Sequence, residues 1–260
     1  MSDPPTLVKA FQGAEAVFAL TNFYDPSNLQ NPLQEARQGC VMADVAKDTG
    51  VKVVLWSTVP SALVRTGAKF DSPGVIENKF TVSQYLKYRE IRHIDVHLGT
   101  FMDNWINFGA ICKAKDGTIE VHQPLLKPHT KLGMIWVERD LGPTIVAILK
   151  NYRHKPQMLG NPIYCVSGQY SIANLLEEIK RQTGNGNEAR MISLTTSGAE
   201  GLDKMYHYYN EWGLYNDVQI PHPKTTELGL TFSSLSDFVR EALVPYIKAL
   251  GNGTSTVRGF

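Results

Sequence analysis

Three groups of polar residues in this chain follow apolar runs closely enough to do chemistry at strand ends. Thr21-Asn22-Phe23 follows Ala16–Leu20, Ser57-Thr58 follows Val51–Trp56, and Phe101-Met102-Asp103-Asn104 follows His93–Leu98 and Gly99. Open α/β sheets hold ligands just beyond the carboxyl ends of their parallel strands. Lys79 adds a cation, and it acts as a general base only where burial depresses its pKa. Ser57 is read either as a hydroxyl facing a ligand or as a turn serine. Asp103 and Asn104 either orient a substrate or cap the helix that follows.

Other chemically suggestive residues have plainer readings. Tyr85 and Arg89 stand four apart on one helix face, where a tyrosine is usually a packing residue. His93 and His97 have the spacing of a metal pair on a helix. On the strand assigned here their Cα atoms lie about 13 Å apart, which excludes a shared metal. The other five histidines are scattered, and no metal is expected. Cys40 reads as a core thiol. Tyr206, Tyr208, Tyr209 and Trp212 form either an aromatic wall for a planar substrate or the buried face of a helix.

The elements that must position these groups follow from punctuation and periodicity. Pro5–Phe11 reads as a short helix ended by Gly13, and Ala16–Leu20 as a strand buried on both faces. Asn22–Gln30 reads as a loop with turn chemistry at Asp25-Pro26-Ser27-Asn28. Asn31 caps a helix that starts at Pro32, runs to Asp48, buries Leu33, Val41, Val45 and Ala46, and stops at Gly50. With the strand Val51–Trp56 this makes a right-handed βαβ unit. Residues 59–76 read as a loop, Glu77–Arg89 as a helix and His93–Leu98 as a third strand. Beyond residue 110 the elements shorten: strands at Thr118–His122, Met134–Val137, Ile163–Val166 and Ala189–Leu194. Helices follow at Leu141–Asn151 (capped by Asp140), Ile172–Gln182 (capped by Ser171), Leu202–Trp212 and Leu235–Ala249.

Composition narrows the function classes. The chain has 260 residues, of which 43% are hydrophobic and 20% charged, with a net charge of +1. No basic stripe supports a nucleic-acid partner. No apolar run approaches the roughly 18 residues of a membrane span, and residues 1–30 hold no signal peptide. Three widely spaced cysteines read as reduced thiols of a cytoplasmic protein, with a nuclear location left open.

Several stretches, in order across residues 6–145, resemble the NmrA-like family of atypical short-chain dehydrogenases/reductases. They are Lys9–Phe23, Ala36-Arg37-Gln38-Gly39, Asp44–Gly50, Asn78-Lys79-Phe80-Thr81-Val82, Phe101–Asn104 and Arg139-Asp140-Leu141-Gly142-Pro143. The resemblance implies an α/β fold: a Rossmann-like parallel sheet that binds NADP (or NAD), closed by a smaller α+β lobe. It implies that Thr21, Asn22 and Phe23 contact the cofactor, with Arg37 as a nearby cation. It also implies that Ser57 stands where the superfamily places a catalytic serine. Lys79 reaches the nicotinamide ribose and is the candidate catalytic residue, and Phe101, Met102, Asp103 and Asn104 lie beside the nicotinamide.

Two departures accompany it. The superfamily's Tyr-x-x-x-Lys proton donor is missing, because Val75 occupies the tyrosine's place before Lys79. The phosphate-cradling Gly-x-Gly-x-x-Gly loop, or its Gly-x-x-Gly-x-x-Gly relative, is absent from the 260 residues. About fifty to sixty residues of strands and helices before Met1 are therefore expected to be missing, which turns Ala16–Leu20 into an exposed edge. The expected organisation is a cofactor domain over 1–110, with 133–165 completing its sheet. A lobe spans 111–132 and 166–250, and 251–260 forms a disordered tail. The resemblance implies an oxidoreductase acting on an organic small molecule, as in fungal secondary metabolism. The alternatives are a dinucleotide-binding regulator with a protein partner or a second copy, or an inactive product.

Overall fold

The computed structural model describes residues 3–31, 33–70, 74–184 and 188–253. The chain divides into two compact units, Met1–Leu98 with Thr144–Cys165, and Gly99–Pro143 with Val166–Phe260.

The first unit begins with α1 (Pro4–Phe11), whose first turn is capped by Asp3, followed by β1 (Ala16–Ala19). The turn chemistry at Asp25–Asn28 starts a helix rather than a loop. Asp25 caps α2 (Pro26–Gln30) by accepting the Ser27 N–H at 2.9 Å. Next comes α3 (Gln34–Asp48), released by Gly50 at φ +77°. The expected first position, Pro32, lies outside the described residues. Leu33, expected to be buried, is 60% exposed, because the helix starts after it and its side chain precedes the packed stripe.

β2 (Val53–Thr58) is buried throughout. The expected loop 59–76 contains α4 (Ala62–Thr66), because Ser61 and the Glu77 carboxylate satisfy its first amides. Glu77 itself sits on α5 (Gly74–Tyr88), which starts earlier than the sequence reading placed it. β3 (His93–Leu98) matches its expected bounds.

The second unit opens with β4 (Thr100–Phe101), α6 (Asn104–Asn107), β5 (Ile111–Lys113), β6 (Ile119–Pro124) and β7 (Leu132–Ile135). The division between units falls within α7 (Val137–Asn151). The chain then supplies β8 (Ile163–Cys165) to the first unit. To the second it supplies β9 (Gly168–Tyr170), α8 (Ile172–Thr183), β10 (Ala189–Leu194), α9 (Glu200–Trp212), α10 (Pro223–Thr226), α11 (Leu235–Phe238) and α12 (Val244–Ala249). A π-helical turn, Val239–Leu243, joins α11 to α12 where one continuous α-helix was expected. Asp140 does not cap α7, because that helix begins three residues before it. The Asp140 carboxylate instead accepts the Ser233 N–H and hydroxyl.

In the first unit the sheet is parallel with order β1-β2-β3-β8, so β1 is an edge strand of that sheet and only half-buried. Parallel pairing of β1 with β2 across α3 realises the βαβ unit. The core lies on the helical face of the sheet and includes Ala19, Met42, Val45, Val54, Trp56, Val82 and Leu86. Of the strands within residues 133–165, β8 joins this sheet beside β3. β7 pairs instead with β4 and β9, and β10-β6-β5 forms a further sheet in the second unit. At the tail, the Gly253 N–H donates to Lys113 O at 2.8 Å, and residues 254–260 lie outside the described residues.

Candidate functional site

Three elements of the first unit bring polar side chains together. β1 ends at Ala19 and delivers Thr21, 5% exposed, beyond its carboxyl end. The first turn of α3 supplies Glu35, and α5 supplies Lys79. The α5 backbone is anchored at this point, since the Trp56 indole N–H of β2 donates to Lys79 O at 2.9 Å.

The three side chains form a closed triangle. Lys79 Nζ donates to Glu35 Oε1 at 2.9 Å, to Thr21 Oγ1 at 3.0 Å and to Thr21 O at 3.2 Å. The Thr21 hydroxyl donates to the same Glu35 Oε1 at 2.7 Å. The Lys79 side chain is 16% exposed and that of Glu35 2%. The second carboxylate oxygen, Glu35 Oε2, is buried with no hydrogen-bond partner among the described residues. Removing one partner of a buried ion pair typically costs about 3–5 kcal/mol, because a charge is left without compensation.

Thr21 and Lys79, both expected from the sequence, therefore meet. Asn22 and Phe23 continue from the strand end: Asn22 Oδ1 accepts the Tyr24 N–H at 3.1 Å, Asn28 donates to Asn22 O at 2.6 Å, and Phe23 packs edge-on against Tyr24. Two expected residues do not join. Arg37 lies on the exposed side of α3, between buried Ala36 and Gln38. Ser57 lies inside β2 rather than past its end. Trp56 and Thr58 bond to α5 residues, so alternation along the strand points Ser57 to the other sheet face.

Glu35 was missed by sequence reasoning. Its signal was a charge at helical spacing with the buried positions Gln38, Met42 and Val45, where an apolar residue would be ordinary. Tyr85 and Arg89 form a separate network. Tyr85 Oη contacts both Asp44 carboxylate oxygens at 3.0 Å, and Arg89 bonds both residues. Burial and the Asp44 hydrogen bond push the Tyr85 phenol up, away from proton exchange near neutrality. On β3, burial and then the Arg65 charge push His97 down to about 3. Burial pushes Asp95 up against the attraction of His93 and a hydrogen bond to Ser83. Cys40 is a free thiol, raised by burial and by Asp44.

The remaining expected residues belong to the second unit. Phe101 is 36% exposed on β4, while Met102 is fully buried and donates its N–H to Ile135 O at 3.0 Å. Asp103 spends both carboxylate oxygens on the amides of Val137 and Glu138 at the start of α7. Asn104 opens α6. Phe101, Asp103, Ile106, Trp136 and Phe238 line a cavity of about 370 Å³. The Trp136 indole N–H is buried without an acceptor among the described residues, and the π-helical turn contributes Ala242 to the wall. The expected aromatic wall of α9 is mostly interior: Tyr208 and Tyr209 are buried, whereas Trp212 is 38% exposed.

Ribose hydroxyls accept hydrogen bonds, and Lys79 offers an ammonium donor beside the carboxyl end of β1, so its chemistry fits the ribose half of a dinucleotide. In this structure the ammonium is turned toward the acceptors of Thr21 and Glu35.

A model of the NmrA-like family matches residues 1–239. The nitrogen metabolite repression protein nmr of Neurospora crassa is 28% identical over 145 residues, which are 54% of this chain and 28% of that protein. Among solved structures, the negative transcriptional regulator NmrA in complex with NAD superposes with a TM-score of 0.71 at 18% identity, covering 95% of this chain and 79% of that one. The NADPH-dependent quinone oxidoreductase QOR2 of Escherichia coli gives 0.65 at 15% identity, covering 93% and 81%. At such identities the structural likenesses speak for the fold.

Proposed function

Since the chain belongs to the NmrA-like family, we propose that it binds NAD(P) at the carboxyl end of β1 and responds to that binding without turning the dinucleotide over. The observation that carries this reading is the Lys79–Thr21–Glu35 triangle. It supplies ribose-binding groups but no group free to move a proton. Val75 stands in the tyrosine's place, and Tyr85 is engaged with Asp44 and Arg89. Phosphate recognition of the glycine-loop kind has no counterpart in the 260 residues.

When bound, the dinucleotide would supply hydride chemistry; the protein's own residues would bind and orient the ribose. Titration of the purified protein with NADP+, NADPH, NAD+ and NADH by calorimetry tests the proposal. Saturable binding without slow consumption of the reduced forms is expected. No binding of any of the four at millimolar concentration removes it. A protein partner would be read by pull-down across the NADP+/NADPH ratio, with capture that changes across the ratio expected.

The oxidoreductase reading has one supporting observation, the aromatic-lined cavity beside Phe101 and Asp103, of a size suited to an organic molecule. NADPH oxidation on adding quinones or other planar carbonyl compounds would establish it in place of the regulatory reading.

A further inference from the structure

We propose that Glu35 is a positioning residue that holds Lys79 turned inward, so that a ligand must win the lysine from it. As far as the ligand is concerned, this rests on the dinucleotide reading above. Lys79 Nζ has three acceptors at 2.9–3.2 Å, two from Thr21 and one from Glu35, all on buried residues, so the ammonium is drawn toward the interior. A ligand that takes the ammonium must draw it away from these partners.

Burial decides which residue a ligand meets. Glu35 is 1% exposed and out of reach, whereas the Lys79 side chain is the more accessible member of the pair. Glu35 therefore acts through Lys79. Its hold is strengthened by its own need: Oε2 has no partner among the described residues, and Oε1 carries both the ammonium and the Thr21 hydroxyl. The Thr21 hydroxyl closes the triangle by donating to Glu35 while accepting from Lys79, so opening one bond loosens the other two. A ribose oxygen that takes one of these donors pays for that opening, and apparent affinity falls by the fraction of chains already open.

Two readouts test the proposal, one of them free of cofactor. Acetylation of Lys79 by acetic anhydride, mapped by mass spectrometry, should be slow in the wild type. It should rise about tenfold in Glu35→Gln, the scale of losing a charge-assisted hydrogen bond. Exposed Lys52 and Lys87 should label at unchanged rates, reporting an intact fold. If those rates shift as well, Thr21→Val, which removes the hydroxyl's bonds to Lys79 and Glu35 but leaves the ion pair, carries the test and should give a smaller rise.

In calorimetry Glu35→Gln should bind NADP+ about tenfold more tightly than the wild type, and the gain should vanish when Lys79→Met is added. Unchanged Lys79 labelling in both variants overturns the proposal, as does equal or weaker NADP+ binding by Glu35→Gln. Faster labelling with no NADP+ binding by any variant leaves the inward hold on Lys79 standing and removes the dinucleotide reading instead.

Discussion

Asp103 Oδ2 accepts the backbone N–H of Val137 at 2.8 Å across 34 positions of sequence, and its Oδ1 takes the next amide, that of Glu138. The carboxylate caps a helix it does not precede. α6, which directly follows Asp103, receives no side-chain cap from it. Asp103→Ala should lower the stability of the protein by about 1 kcal/mol, the usual cost of losing an N-cap. Asp103→Asn, which keeps an acceptor, should lose less. Urea unfolding of the two variants checks this, and equal losses would mean that the acceptor geometry is not what matters.

Gly39 sits where α3 meets α5. A Cβ there would lie 2.4 Å from Val82 Cγ2 and 3.1 Å from Trp56 Cη2. Val82 is β-branched and Trp56 is 1% exposed, so neither side chain has room to yield. Gly39→Ala should therefore destabilise by about 1–3 kcal/mol, despite the better helix propensity of alanine. A gain in melting temperature would show that the two helices can move apart at little cost.

Burial holds the His97 imidazole neutral down to about pH 3, packed edge-on against Tyr164. Its unfolded value is the higher one, near 6.5. Between these values the unfolded chain binds the extra proton. The His97 contribution is therefore complete above pH 6.5 and is lost as pH falls toward 3, at up to about 1.4 kcal/mol per pH unit. Asp95, raised on the same strand, titrates in the opposing sense. Denaturant unfolding from pH 7 to pH 4 should show a shallower decline for His97→Gln than for the wild type, and parallel curves would refute the assignment.

Tyr85 carries the letters of a catalytic tyrosine without its position. Its phenol bridges Asp44 and Arg89 at the α3–α5 contact, away from the triangle. Tyr85→Phe should leave dinucleotide affinity unchanged and reduce stability by about 1 kcal/mol, the scale of one hydrogen bond. A loss of binding in calorimetry with stability unchanged would return Tyr85 to the site.

Much of the architecture was legible in the sequence because it is written in local terms. The 3.6-residue stripe of α3, the glycine at residue 50 and the polar triplet after β1 each act over a few residues. Periodicity and turn chemistry report such effects directly. The parallel pairing of β1 with β2 followed from the βαβ rule. Thr21 and Lys79, which the resemblance implied as site residues, lie in direct contact.

What only the tertiary structure decided is how the polar groups are spent. A carboxylate at residue 35 or 103 looks the same in sequence whether it is solvated, caps a helix or seizes a lysine. Its partners lie 44 and 34 positions away, and no periodicity spans such distances. The same holds for β7, whose apolar residues suit either sheet and whose pairing was set by β4 and β9. Local propensity chooses the elements, but donors and acceptors are matched only after the chain has closed, because each buried polar group must take whichever partner packing brings within 3 Å or so.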